Sequence, residues 1–297
     1  MIDLDRLRIF HAVAESGSFT RAAQLVHLTQ PGISKHIKSM EEYFGVPLFD
    51  RQGRKVALTQ AGEVLYASTQ EVMALVASAE QRIQDLRGLR GGTLRLGGSF
   101  PVGLHVLPQV LAAYRKRYPQ VKVELAIANS AGIEARVLDD KLDLGLVSHE
   151  VQHPKLVARE FMRDELVVIV PPGHKWSGKR RVKVQELAGE SMILSGKGAG
   201  ARAVVEERLQ AKGIVLENVL DFANAEGVKH AVQAGLGISV QPRVTVQQEI
   251  DAGLLRGLRL ADMDADIPYM YIARKDRHVS NAHQAFVELL LETGRRG

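Results

Sequence analysis

Apolar positions in the first sixty residues recur at helical spacing. Leu4, Leu7, Phe10 and Val13 share one side of a first helix, and Gly17 supplies a left-handed stop. Phe19, Ala22, Ala23 and Val26 form the buried side of a second helix, with Ser18 or Thr20 as its cap. A third is capped by Thr29 and carries Pro31 in its first turn, where a missing N–H costs little. Its buried stripe is Ile33, Ile37, Met40 and Phe44, stepping by four, three and four, and Gly45 ends it. Residues 48–51 and 55–58 read as two short strands around Gln52-Gly53-Arg54, a basic hairpin.

From Thr59 a helical pattern runs unbroken to residue 89. Leu65, Val72, Val76, Ala79, Ile83 and Leu86 step by seven, four, three, four and three, a heptad seam interrupted by Thr69. Such a helix either lies on its own domain or pairs with a second copy. Past Gly91-Gly92 the rhythm changes. Residues 92–98, 121–128 and 142–147 read as strands, and 107–118 and 131–141 as helices between them. That alternation predicts a mostly parallel sheet with right-handed crossovers. It recurs with strands at 166–170, 191–194, 237–240 and 267–273 and helices at 201–212, 228–234 and 282–292. The expected division is therefore 1–58, 59–89 and 90–297.

Composition narrows the choices. The 297 residues suit two domains, and 45% apolar with 25% charged residues is a globular profile. No run of about 18 apolar residues exists to span a bilayer. The N-terminus carries early acids and lacks the basic-then-apolar pattern of a signal peptide, so a cytoplasmic location is expected. Zero cysteines exclude disulfides, thiolate metal sites and thiol nucleophiles. A net charge of +5 permits nucleic-acid binding but equally suits a slightly basic soluble protein.

The chemistry lies in the third helix. Its buried stripe leaves Gln30, Ser34, Lys35 and Lys38 facing outward, all hydrogen-bond donors and two of them cations. Such a set suits base edges and phosphates, with Arg51, Arg54 and Lys55 of the hairpin meeting the backbone or minor groove. Spacing alone fits an ordinary solvated face as well. Elsewhere, Gly196-Lys197-Gly198-Ala199-Gly200 lacks the spacing of a nucleotide-binding loop. His149 and His153 lie beside Pro154 without ligand spacing, and Asp139, Asp140 and Asp143 read as a helix end and polar turn. Trp176 follows Pro171-Pro172-Gly173-His174-Lys175 and reads as loop packing. No catalytic constellation, metal site or cofactor is expected. An enzyme with a fused helical segment lacks its catalytic set, and an exported solute-binding protein lacks its signal; both leave residues 19–62 unexplained.

Residues 19–62 closely resemble the DNA-binding region of LysR-type transcriptional regulators. The resemblance includes the Ala22-Ala23 pair, Thr29-Gln30-Pro31, Gly45-Val46-Pro47-Leu48-Phe49 and Leu58-Thr59 followed by Ala61-Gly62. It implies a winged helix-turn-helix over 1–58, a linker helix over 59–89 that dimerises, and an α/β effector domain over 90–297. That domain resembles periplasmic binding proteins, with subdomain I at about 90–162 and 267–297 and subdomain II at about 163–266. The chain would cross between them near 161–164 and 262–267. By the same resemblance Gln30, Pro31, Ser34 and Lys35 contact the major groove, and Arg51 and Arg54 the wing side. Lys35 stands where the family often has arginine, so the bidentate fork is missing there.

The resemblance further implies a cleft formed by loops at 98–102, 129–130, 195–202 and 224–228. The subgroup that fits best regulates carbon-fixation and sulfur-assimilation genes. Here Phe100 and Pro101 replace two threonines usual in that subgroup, and Ala199, Ala201 and Ala225 replace hydroxylated residues. The donors that remain are Ser99, Asn129, Ser130, Ser195, Lys197, Arg202 and Asn224. A small anionic effector is expected, in a cleft less polar than the family norm, with Phe100 filling part of it. The implied partners are double-stranded promoter DNA, that effector, further copies in a homodimer or homotetramer, and RNA polymerase, with no membrane.

Overall fold

A computed structural model describes residues 2–50, 56–85, 92–214, 216 and 219–294. The chain divides into two compact units, Met1–Arg82 and Ile83–Gly297. Among the described residues no helix is long and apolar enough to cross a membrane.

The first unit opens with α1 (Leu4–Ser16), α2 (Phe19–Leu25) and α3 (Gln30–Phe44). Each start is held by a side-chain cap. Asp3 accepts from Arg6 N at 2.9 Å, Ser18 from Arg21 N at 3.3 Å, and Thr29 from Gly32 N at 3.3 Å. Gly17 and Gly45 close α1 and α3 at φ 60° and 72°. Phe10, Val13, Ala22, Ile33, Ile37 and Met40 are fully buried together. Ala22 and Ala23 let the helices approach closely. Phe44, expected at the end of the buried stripe, is 40% exposed; the helix stops at Gly45 before its ring is covered. β1 (Phe49–Asp50) and β2 (Ala57–Leu58) pair antiparallel. α4 (Gln60–Asp85) follows, its Gly62 N–H bonded to Thr59 Oγ1 at 3.1 Å. Val64, Val72, Leu75 and Ile83 on it are exposed, and Leu86 lies outside the described residues.

The second unit is built around β3 (Thr93–Ser99), α5 (Phe100–His105), α6 (Leu107–Arg117), β4 (Lys122–Ala128), α7 (Ser130–Leu138), β5 (Leu144–Val147) and β6 (Leu156–Val170). Next come β7 (Arg181–Val182), α8 (Val184–Leu187), β8 (Met192–Ser195), α9 (Gly200–Ala211), β9 (Val219–Phe222) and α10 (Ala225–Gln233). β10 (Ser239–Pro242), α11 (Arg243–Asp251), β11 (Arg256–Leu260), β12 (Asp266–Arg274) and α12 (Asn281–Gly294) complete it. Strands run in the order β4-β3-β5-β12-β6-β11-β7, with β10 also on β6, while β8 and β9 form a separate parallel pair.

Two expectations are corrected. The sheet is mixed. β3 pairs parallel with β4 and β5, but β6 runs antiparallel to β10, β11 and β12. The strand expected at 166–170 also begins ten residues earlier. Residues 156–165 pair with β12 and residues 166–170 with β10 and β11, so one strand serves both halves. The first crossing is thus a strand running through, not a connection leaving the sheet. Asp164 ties this region together. It accepts from Tyr269 Oη at 2.9 Å and from Val244 N at 3.1 Å, joining β6, β12 and the start of α11. Burial raises its carboxyl above the ordinary range.

Candidate functional site

The exposed face of α3 is the first candidate. Ile33, Ile37 and Met40 point into the core, so the 3.6-residue period turns Gln30, Pro31, Lys35 and Lys38 outward, with Ser34 half-buried beside them. Gln30 Nε2 donates to Ser34 Oγ at 3.2 Å, which holds the amide against the helix start. Lys38 Nζ lies 3.7 Å from Glu42 with both side chains exposed, a pairing worth little in water. The arrangement presents an amide able to bridge a base edge and cations able to meet phosphates. Arg51 and Arg54 of the hairpin lie outside the described residues.

The second candidate is a cleft of about 70 Å³ within the second unit. It lies at the C-terminal ends of β3, β5, β8, β9 and β10, where α5, α7, α9, α10 and α11 begin. Eight of the nine expected residues line it: Ser99, Phe100, Pro101, Asn129, Ser130, Ser195, Lys197 and Asn224. Phe100 and Pro101, taken as loop, open α5, since proline fits the first helical turn.

Arg202 is the exception. Its guanidinium donates to Ser195 O at 2.7 Å, Asp221 Oδ1 at 2.6 Å and Glu206 Oε1 at 2.8 Å. It braces β8 against β9 and is absent from the lining, so the expected effector contact is corrected to a structural one. The two asparagines are also partly engaged. Asn129 Oδ1 accepts from Gly132 N at 2.8 Å and Asn224 Oδ1 from Gly227 N at 3.0 Å, so each caps its helix. Asn129 Nδ2 turns to Lys197 O at 3.3 Å, while Gly198 O accepts from Ala131 N at 3.3 Å. These two bonds bring the loop after β8 against the start of α7. Gly198 makes that turn at φ 84°, and a Cβ there would sit 2.7 Å from Asn129 Nδ2.

Sequence reasoning missed Ser148, Ala223, Gln241 and Pro242 in the lining. Ser148 follows the buried strand β5 and carries no spacing signal. It matters because Ser99, Ser130 and Ser148 are each 1% exposed, and their hydroxyls have no hydrogen-bond partner among the described residues. Buried hydroxyls left unpaired are costly, so three in one cleft mark a place built to receive polar atoms. The N-terminus of α9 opens on the same cleft, and Ala199 at its cap makes no side-chain bond. Among the described residues no group of His, Cys, Asp and Glu could hold a metal.

Comparison with known proteins follows the same division. Residues 4–63 match the family of bacterial regulatory helix-turn-helix proteins of the lysR type, and residues 87–295 match the LysR substrate binding domain. The RuBisCO operon transcriptional regulator of Allochromatium vinosum is 29% identical, over 99% of this chain and 97% of its own length. Full-length CbnR, solved in complex with its target DNA, superposes with a TM-score of 0.68 at 20% identity, covering 99% of both chains. The regulatory domain of Synechocystis CcmR, solved with 2-PG, superposes with a TM-score of 0.64 at 25% identity, covering 69% of this chain and 98% of that one. The chain belongs to the LysR family of DNA-binding transcriptional regulators, with a helix-turn-helix ahead of an effector-binding domain, and is not an enzyme.

Proposed function

We propose that this regulator reads promoter DNA through Gln30, Pro31, Ser34 and Lys35, with Lys38, Arg51 and Arg54 on phosphates or the wing side. Residues 1–58 serve as the DNA-binding domain, 59–89 as the dimerising linker helix and 90–297 as the effector domain. A small anion in the cleft biases the oligomer between two arrangements that present the recognition helices differently. The ligand achieves this only through unequal affinity for the two. The observation that carries the effector reading is the trio of unpaired buried hydroxyls, Ser99, Ser130 and Ser148, in one cleft.

The apolar side chains left exposed along α4 support pairing of two copies through that helix. A homodimer, or a homotetramer made from two, then offers recognition helices to successive major grooves about 34 Å apart. Work on the promoter takes place in the cytoplasm and extends to contact with RNA polymerase. The likeness to regulators of RuBisCO operons supports targets in carbon metabolism.

The test is binding to the gene's own upstream region. Affinity should fall steeply with salt and change when small molecules from a cell extract are added. A protein that ignores every upstream fragment at low ionic strength, with and without extract, overturns the proposal.

A further inference from the structure

We propose that one edge of the effector-domain sheet, at Arg180, Arg181 and Lys183, is a second surface for DNA, holding the sugar–phosphate backbone outside the stretch read by α3. This goes beyond the recognition-helix reading. It starts from charge. Residues 174–183 hold five lysines and arginines, Lys175, Lys179, Arg180, Arg181 and Lys183, and no acid. The net charge of the whole chain is +5, so the remaining residues balance and the entire excess lies in this short segment.

The fold sorts the five into two groups. Trp176 is buried and anchors the loop, while His174 O accepts from Ser177 N and Trp176 O from Lys179 N, both at 2.8 Å. Lys175 reaches Glu190 and Lys179 reaches Glu186, so these two are matched within the fold. Arg180, Arg181 and Lys183 are exposed and make no ion pair among the described residues. β7 is the end strand of its sheet. Arg181 and Lys183 flank the buried Val182 and so point the same way, roughly 6.6 Å apart.

Arg181 also stands in register with Arg259 of β11. Like charges side by side on neighbouring strands repel. Glu165 meets Arg259 at 3.1 Å but is shared with Arg243 at 2.8 Å. Asp262, near the end of β7, accepts from Val184 N at 2.9 Å. A row of cations fixed on a paired strand, repelling one another and unmatched inside the chain, fits a polyanion with closely spaced charges. Duplex DNA carries a charge about every 1.7 Å of its axis, and this chain belongs to a DNA-binding family. A second basic trio, Arg115, Lys116 and Arg117, provides the contrast. It lies in the last turn of α6, where the helix's own partial negative end attracts cations.

The experiment compares the full chain with the edge variant Arg180→Gln, Arg181→Gln, Lys183→Gln. The control Arg115→Gln, Lys116→Gln, Arg117→Gln removes the same charge elsewhere. Each is titrated against the gene's own upstream fragment over a salt series, with hydroxyl-radical footprints. The edge variant should reduce the salt slope by about two to three. It should also expose flanking backbone positions that the unaltered chain protects, with the central footprint kept. The control should leave the footprint as it is. Without DNA, both variants should melt and sediment like the unaltered chain.

An unchanged slope and footprint in the edge variant overturns the proposal. Equal losses in both variants overturn it too, because net charge alone would then be responsible. Self-association of the edge variant with DNA binding intact would give these cations the task of blocking strand-to-strand pairing instead. Weaker binding of RNA polymerase with the footprint unchanged would assign the edge to an acidic protein. If the unaltered chain binds no fragment, the promoter reading falls as well; if it binds and the edge variant matches it, only this inference falls.

Discussion

Gln30 and Lys38 share the outer face of α3 but should act differently on a duplex. An amide that bridges a base edge discriminates sequence, whereas a lysine ammonium on a phosphate does not. Gln30→Ala should cost about 1–3 kcal/mol on the native site and little on a site altered at the contacted base. Lys38→Ala should weaken all sequences alike and reduce the salt slope by about one. Fluorescence anisotropy on matched duplexes checks both, and an unchanged site preference in Gln30→Ala would show the contact to be misassigned. Gly62 is a second informative residue. A Cβ there would overlap the Leu48 carbonyl oxygen, which also accepts from Thr59 N at 3.1 Å. Gly62→Ala should destabilise the first unit by about 1–3 kcal/mol in denaturant titrations. At this scale residue type and spacing placed Gln30, Lys35 and Lys38 on the exposed side of α3, and the family resemblance named eight residues that line the cleft. They missed Ser148 because a lone serine after a buried strand has no pattern. They misjudged Arg202 because its acidic partners Asp221 and Glu206 come together only in the fold.

Among the elements, α4 carries the oligomer question. Leu75 is 73% and Ile83 59% exposed on one chain, an unusual placement for large apolar side chains on a long helix. The double variant Leu75→Glu, Ile83→Glu should shift sedimentation towards monomer and weaken DNA binding, with the helix content by circular dichroism unchanged. α12 carries a pH dependence. His283 is buried near its start, and burial first, opposed by Asp143 and reinforced by Arg277, lowers its pKa. Burial likewise lowers that of His105 at the end of α5. The unfolded chain then binds more protons than the native one below the ordinary histidine value of about 6.5. These groups therefore stabilise the fold fully above that value, and their contribution is lost as pH falls through it towards the lowered native pKa. The second unit should melt at lower temperature at acid pH, and His283→Asn should flatten the trend. Helices with clear apolar stripes, such as α3 and α6, were legible at this level. The first ten residues of β6 were not, because Arg159, Glu160, Arg163, Asp164 and Glu165 hide the strand under charge. Pairing with β12 overrides that local composition.

For the molecule as a whole, linkage makes a reciprocal demand. If an effector changes DNA affinity by some factor, the operator must change effector affinity by the same factor. Titrating the ligand with and without operator DNA should return matching factors, and a mismatch would mean that a further equilibrium intervenes. The two-part plan was readable because helical spacing gives way to strand–helix alternation near Gly91-Gly92. Strand direction was not, since alternation alone does not reveal that β12 returns antiparallel between β5 and β6. That return has a mechanical meaning. β6 and β12 are laced together from Asp266↔Glu165 to Arg274↔Leu156, with one irregularity between Tyr269 and Met270. Sliding one strand along the other by a single residue would turn its buried side chains to the wrong face. β6 runs on from that laced stretch into residues 166–170 against β10 and β11, so a register pinned on one side of the sheet is handed by a single continuous strand to the other.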